Sequence, residues 1–84
     1  MARRVIFSDE ARANIRAIDR ETAMRLLDGL ARFLKTDCGD VKQLHGFDPP
    51  EYRLRVGDWR IIFRKGFGDT IEVVRVRNRR EAYR

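Results

Sequence analysis

Arginines on two neighbouring segments of the second half of the chain are spaced so that they could bind one anion together. The stretch YRLRVGDWRIIF, residues 52–63, alternates apolar and basic residues on both sides of Gly57-Asp58, a dipeptide typical of a two-residue hairpin turn. Counting outward from that turn places Arg55 directly opposite Arg60. Two like charges in this position destabilise a strand pair. An anion bound between the two guanidinium groups would remove that cost.

The same count divides the hairpin into an apolar face and a basic face. The apolar face is predicted to contain Tyr52, Leu54, Val56, Trp59, Ile61 and Phe63. The basic face is predicted to contain Arg53, Arg55, Arg60 and Arg64, joined by Arg75 and Arg77 of the following strand. A solvated sheet face without a ligand usually mixes charges of both signs. A guanidinium group can bind two phosphate oxygens at once, so this pattern favours a phosphate site.

The charge of the whole chain agrees with that reading. The 84 residues have a formal net charge of +6. Residues 1–50 contain nine Lys and Arg against eight Asp and Glu, whereas residues 51–84 contain ten against five. Sixteen of the 19 cationic residues are arginine, a bias to which a GC-rich genome would also contribute. The excess in the second half indicates an acidic partner such as nucleic acid.

The first half of the chain predicts a strand followed by a helical hairpin. The segment RRVIFS reads as a short strand, and Ser8 and Asp19 are suitable N-cap residues for two successive helices. In the second helix, Gly29 is expected to weaken the helix slightly. The apolar stripe of that helix is predicted to contain Ala23, Leu27, Leu30, Ala31 and Leu34, supported by Leu26 and Phe33.

The second half predicts three antiparallel strands after a loop. Gly46, Pro49 and Pro50 predict a loop over VKQLHGFDPPE, residues 41–51. The hairpin follows, and TIEVVRVR is predicted to form a central strand. On that strand Val74 and Val76 are expected on one face, opposite a second face with Ile71, Val73, Arg75 and Arg77. The order β-α-α-β-β-β predicts one α+β domain over residues 1–84, with the helical hairpin on one face of a small antiparallel sheet.

Composition narrows the classes of function. A single cysteine, Cys38, excludes an internal disulfide framework and a metal site built from several thiolates. The N-terminal segment lacks the apolar core of a signal peptide, and no apolar stretch approaches the roughly 20 residues of a membrane span. We therefore expect a cytoplasmic protein that needs no metal or other cofactor and does not bind membranes.

The hairpin, together with VVRVRNRREAYR at the C-terminus and a QLHG…P loop after two helices, resembles the RelE/ParE superfamily of type II toxins. The resemblance covers essentially the whole chain and is greatest to the RelE-like branch. RelE-like members are ribonucleases that cut mRNA, usually on the ribosome, and are silenced by an antitoxin encoded alongside. ParE-like members share the fold and inhibit DNA gyrase instead. The resemblance thus implies an α+β toxin that assembles with a cognate antitoxin.

By position, the resemblance also assigns roles to individual residues. Arg60 would hold the scissile phosphate, and Arg77 and Tyr83 match an arginine and a tyrosine of the C-terminal motif. Asn78 stands where many relatives have a histidine, and the best-known RelE enzymes have lysines where this chain has arginines at positions 53 and 55. The residues expected to bind nucleic acid are Arg53, Arg55, Arg64, Arg75, Arg79 and Arg80.

Metal-free cleavage of RNA requires a base for the 2′-hydroxyl, charge stabilisation at the phosphorane and an acid for the leaving oxygen. Arginine suits the second task and is a poor base because it stays protonated. Nearby guanidinium groups would favour the phenolate of Tyr83, which makes it the leading candidate for the base. His45 is a weaker candidate because it precedes the Pro-Pro loop, where a structural or solvent-exposed role is expected.

Two other interpretations remain open at this point. Trp59 and Phe67 could stack on bases, although the hairpin register assigns Trp59 to packing. At the level of function, a gyrase inhibitor without enzymatic activity is the main alternative to an mRNA-cleaving toxin. A degenerate family member that acts only as antitoxin partner and co-repressor is the third hypothesis.

Overall fold

A computed structural model describes residues 3–79 of the chain, and the fold class and the order of the predicted elements are confirmed. The elements are β1 (Arg4–Phe7), α1 (Asp9–Arg16), α2 (Arg20–Thr36), β2 (Asp40–Leu44), β3 (Glu51–Val56), β4 (Trp59–Lys65) and β5 (Thr70–Asn78). The five strands of the described residues form one sheet in the order β1-β5-β4-β3-β2. Both helices begin at the predicted caps, since Ser8 accepts from the amide of Ala11 and Asp19 from that of Thr22.

The sheet differs from the prediction at both of its edges. β1 pairs with β5 in parallel, so the sheet is mixed. β2 forms within the segment predicted to be a loop, and it pairs antiparallel with β3. Its five residues precede Gly46 and the two prolines, which confine the irregular backbone to the connection that follows. Pairing with β3 supplies the hydrogen bonds that a short isolated strand lacks.

The hairpin has the predicted register. Gly57 has a φ of 59° at the turn, Arg55 lies opposite Arg60, and Val56 lies opposite Trp59. A left-handed φ of this kind favours glycine and allows the two-residue turn. The apolar face of the hairpin therefore turns toward the helices, as expected.

The core lies between that apolar face and the two helices. Its buried residues are Ala11, Leu26, Leu30, Phe33, Leu54, Ile61, Phe63, Ile71, Val73 and Val76. The ring of Phe63 contacts Phe33 at a centroid distance of 5.6 Å and stacks on Tyr52 at 5.5 Å. Rings of this size remove large apolar areas from water, so the contact between Phe33 and Phe63 holds α2 on the sheet.

The buried stripe of α2 is rotated relative to the predicted one. Leu26, Leu30 and Phe33 are buried, whereas Leu27 and Ala31 are exposed. The cause is the close approach of α2 to β3 at Gly29, where a Cβ atom would lie 2.9 Å from Cγ2 of Val56. Gly29 therefore has a packing role in addition to its cost in helix propensity.

The predicted faces of β5 are also wrong in part. The β4–β5 register shifts between Ile62, which lies opposite Arg75, and Phe63, which lies opposite Val73. The extra residue, Val74, forms a bulge that reverses the alternation of the side chains. Ile71 and Val73 are consequently buried in the core with Val76, while the two arginines of β5 keep the opposite face.

Candidate nucleic-acid interface

The sheet face opposite the helices brings six predicted arginines together. We call this surface the open face and define it by Arg53, Arg55, Arg60, Arg64, Arg75 and Arg77. The strand registers align three of them across β3, β4 and β5, because Arg60 lies opposite both Arg55 and Arg77. These three residues form the arginine row. The row is the closest clustering of like charge that the strand registers create on the open face, and it contains two of the predicted catalytic residues.

Arg60, at the centre of the row, is buried and poorly paired. Arg60 is only 3% exposed, and its Nη1 donates to the backbone oxygen of Trp59 at 3.2 Å. Its Nε has no hydrogen-bond partner in the described part of the chain. Within residues 3–79, no carboxylate lies in ion-pair contact with this guanidinium group. A buried charge without a counter-ion is costly, so this position is where an anion would be stabilised most.

Carboxylates flank the row at its two ends. Arg55 lies 4.0 Å from Asp40 of β2, and Arg77 donates to Glu10 of α1 at 2.6 Å. Arg77 also donates to Oδ1 of Asn14 at 3.0 Å, an oxygen that accepts from the amide of Val76 as well. The first turns of α1 thus orient the outer arginine of the row from the edge of the sheet.

A second cluster on the open face has the opposite arrangement of charge. Glu51, only 2% exposed, lies between Arg64 and Arg75. Arg64 donates to Oε2 through Nε at 3.3 Å and Nη2 at 3.1 Å, and Arg75 donates to Oε1 through Nη1 at 3.2 Å and Nη2 at 2.9 Å. We call these three residues the Glu51 cluster. Such forked pairs fix the planes of both guanidinium groups.

The open face remains basic in spite of these contacts. Arg53 pairs with Asp40 at 3.4 Å, and Arg64 lies 3.9 Å from Glu72. In the described part of the chain the six arginines thus meet four carboxylates, from Glu10, Asp40, Glu51 and Glu72. Five of the six arginines are paired in this way, and Arg60 is the exception.

The sequence from residue 5 to residue 83 matches the family described as the ParE toxin of the type II toxin-antitoxin system, parDE. The chain belongs to this toxin family. The match covers almost the whole chain and confirms the RelE/ParE superfamily that its motifs indicate. No curated relative matches the toxin in sequence.

Solved structures share the fold of the toxin. The RelE-RelB complex of the archaeon Pyrococcus horikoshii OT3 has a TM-score of 0.73 at 22% identity, covering 94% of this chain and 97% of that chain. The RelB-RelE antitoxin-toxin complex of Methanococcus jannaschii has a TM-score of 0.72 at 23% identity, with 93% and 94% covered. The RelBE2 complex of Mycobacterium tuberculosis has a TM-score of 0.73 at 20% identity, with 94% and 100% covered.

The remaining predicted site residues of the toxin fall into two groups. Arg80 and Tyr83 lie outside the described residues. Arg79 directly follows β5, and its backbone amide donates to the carbonyl oxygen of Asp58 in the hairpin turn at 2.6 Å. This contact joins the end of β5 to the hairpin turn, at the end of the open face that contains the arginine row.

The aromatic and histidine candidates are separated from the row. Trp59 packs against the core, as its register predicts, and His45 is exposed in the connection after β2. Phe67 is 98% exposed at the β4–β5 turn. Sequence reasoning missed Phe47, whose ring lies against Arg75. Its place between Gly46 and the Pro-Pro pair indicated only a loop.

Two further features of residues 3–79 concern metals and membranes. No three His, Cys, Asp or Glu side chains of this part of the toxin are grouped so that they could hold a metal ion. Neither of its helices has the length and hydropathy required to cross a bilayer.

Proposed function

We propose that this toxin is a metal-free endoribonuclease that cleaves mRNA on the ribosome, and that the arginine row binds the scissile phosphate. The observation that carries the proposal is the buried guanidinium group of Arg60, which lies between two other arginines without a carboxylate of its own among residues 3–79. Charge developing on a phosphorane would be stabilised there, since a buried site screens charge weakly.

The arrangement suggests an order of contacts for a bound phosphate. Arg55 and Arg77 are partly exposed and would meet the phosphate oxygens first, exchanging Asp40 and Glu10 for the ligand. Arg60 lies behind them and contributes charge from within the sheet. Arg77 is proposed to stabilise the transition state or assist the leaving 5′-oxygen, and Tyr83 is the proposed base for the 2′-hydroxyl. The products would be a 2′,3′-cyclic phosphate and a 5′-hydroxyl.

The proposed partner is a cognate antitoxin that assembles with the toxin in the cytoplasm. Two features support this: the type II membership of the family, and the structural neighbours, which are toxin–antitoxin complexes. An acidic antitoxin segment would supply the carboxylates that the centre of the arginine row lacks within residues 3–79. Arg53 and the Glu51 cluster would then guide nucleic acid or antitoxin toward the row.

The test is brief induction of the toxin followed by mapping of cellular RNA 5′ ends. Wild-type toxin is expected to create new 5′-hydroxyl ends in translated mRNA and to stop growth. The variants Arg60→Ala, Arg77→Ala and Tyr83→Phe are expected to lose both effects while remaining folded. Arg32→Ala, on the outer side of α2, serves as the control and should retain them. Intact transcripts during growth arrest by the wild type would contradict the proposal.

Inhibition of DNA gyrase is the second candidate function. The family match favours it, and so does the pairing of five open-face arginines with carboxylates of the chain itself, which reduces their availability for RNA. This candidate predicts DNA-damage signalling and stalled gyrase–DNA complexes on induction, with transcripts unchanged. A supercoiling assay with purified gyrase separates the two candidates directly.

A further inference from the structure

We propose that the exposed ring of Phe47, supported by Arg75, is a stacking site for one unpaired RNA base at the end of the open face that contains the Glu51 cluster. This inference rests on the proposed action on RNA and adds a contact that recognises a base in addition to the phosphate.

Phe47 lies in the connection between β2 and β3 and is 46% exposed. The Cζ atom of Arg75 lies 5.9 Å from the centroid of its ring, within the range of a cation–π contact. The guanidinium group of Arg75 is in turn held by the carboxylate of Glu51, with Nη2 at 2.9 Å from Oε1. The ring is therefore accessible to solvent on a support whose position is fixed by a buried ion pair.

An accessible aromatic ring beside a fixed guanidinium group suits an unpaired base. Bases of single-stranded RNA stack on aromatic side chains and on arginine planes, largely independently of their identity. Because the Glu51 cluster already orders Arg75, binding a base would not have to fix that long side chain. A base within a duplex is covered by its neighbours, so the site would select single-stranded RNA.

The site lies at the opposite end of the open face from the proposed phosphate position. The guanidinium group of Arg75 is held at Glu51, which is four residues from Arg55 on β3. Four residues along a strand correspond to about 13 Å, which is the scale of two nucleotides of extended RNA. A base two nucleotides from the phosphate on the row could thus stack on Phe47.

The chain provides a matched control in Phe67. This ring is 98% exposed at the β4–β5 turn, and no arginine or lysine among residues 3–79 forms a cation–π contact with it. Loss of an exposed ring can therefore be compared between the two positions, with and without the guanidinium support.

The test measures binding of the purified full-length toxin to short oligonucleotides with 2′-O-methyl ribose, which lack the attacking hydroxyl and cannot be cleaved. Two oligonucleotides are compared, one with 2-aminopurine two nucleotides from the central phosphate and one abasic there. Wild-type toxin and Phe67→Ala are expected to bind the first about tenfold more tightly, with quenched 2-aminopurine fluorescence. Phe47→Ala should bind both equally, and Phe47→Trp should restore the difference.

The outcomes separate this inference from the proposed function. If Phe47→Ala keeps the wild-type preference for the oligonucleotide with the base, the stacking site is overturned and the phosphate site stands. Equal weakening toward both oligonucleotides also overturns it, because a stacked base affects only one of them. If the wild type binds neither oligonucleotide, the stacking site is overturned, whereas the proposed function is judged separately by the mapping of RNA 5′ ends in cells.

Discussion

The two ends of the open face differ in the charge of the residue that lies between their arginines. In the Glu51 cluster a buried carboxylate lies between two arginines, whereas in the arginine row the buried Arg60 lies between two further arginines. The first arrangement pairs both arginines with one carboxylate and connects three strands. The second leaves a buried guanidinium group short of partners. The comparison indicates that a buried charge costs little only where a counter-charge lies beside it.

The difference arises from the residues that β3 contributes to the open face. Side chains two and four residues apart on a strand share a face, so Glu51, Arg53 and Arg55 all point to it. The strand therefore supplies a carboxylate at its beginning and guanidinium groups farther along. We therefore expect the loss of a charge to reduce stability most at the first end.

The largest expected effect is the loss of the central carboxylate through Glu51→Gln. Arg64 and Arg75 would keep their positions with no full counter-charge between them, and we expect the free energy of unfolding to fall by about 2–3 kcal/mol. Urea denaturation measures this. Glu72→Gln is the matched control, since Glu72 is half-exposed and 3.9 Å from Arg64, and it should cost less than about 0.5 kcal/mol. Equal losses for the two variants would contradict a structural role of the Glu51 cluster.

The next effect has the opposite sign and concerns the centre of the row. Arg60→Met replaces a poorly paired buried charge with an apolar chain of similar length, and we expect the free energy of unfolding to rise by about 1 kcal/mol while growth arrest is lost. Arg64→Met, which removes a partner of Glu51, should lower it instead. Thermal or urea unfolding of the two variants beside the wild type decides the point. Destabilisation by Arg60→Met would show that Arg60 is satisfied within the fold.

A smaller effect is expected from salt. Repulsion within the row is screened by added sodium chloride, so the wild type should gain about 0.5 kcal/mol between low and high ionic strength. Arg55→Ala removes one of the three charges, and its stability should depend less on salt. Urea unfolding at the two salt concentrations gives both values. Identical salt dependence for the two proteins would remove the evidence for repulsion across the row.

The smallest effect comes from a carboxylate outside both clusters. The backbone amide of Thr22 donates to Asp19 at 2.9 Å, and this hydrogen bond, followed by that of the Thr22 side chain, lowers the pKa of Asp19. The stability that the ionised carboxylate of Asp19 adds is fully present above the pKa that Asp19 has in the unfolded chain. It is lost as the pH falls through the lowered pKa of Asp19 in the folded protein. Asp19→Asn should flatten that part of an acid titration of unfolding. An unchanged profile would mean that other carboxylates account for it.

Local chemistry made part of this fold predictable. The two-residue turn at Gly57 fixed the hairpin register, and the side chains of Ser8 and Asp19 marked the starts of both helices. The alternation of apolar and basic residues then assigned the arginines to a common face. Each of these features depends on residues within a few positions of one another, so a sequence reading can find them.

Other features depend on contacts between distant segments. β2 needs β3 as a partner, and the bulge at Val74 is invisible in a run of β-branched residues that can alternate in either phase. Two overlapping apolar stripes run along α2, and the sequence alone does not show which of them is buried. The close approach of Gly29 to Val56 decides between them. The exposure of the Phe47 ring likewise depends on the position of the segment that connects β2 and β3.

The amino-acid sequence by itself determined that arginines of two strands share a sheet face, because side-chain direction alternates with a period of two and the turn sets the register. Only the tertiary structure decided which of them meet a carboxylate. Arg75 forms an ion pair with Glu51, and Arg77 forms one with Glu10, although the partners are far apart in the sequence. Arg60 pairs with neither of these carboxylates. Ion pairs form where folding brings side chains within a few ångströms, and that proximity is a property of the packed molecule.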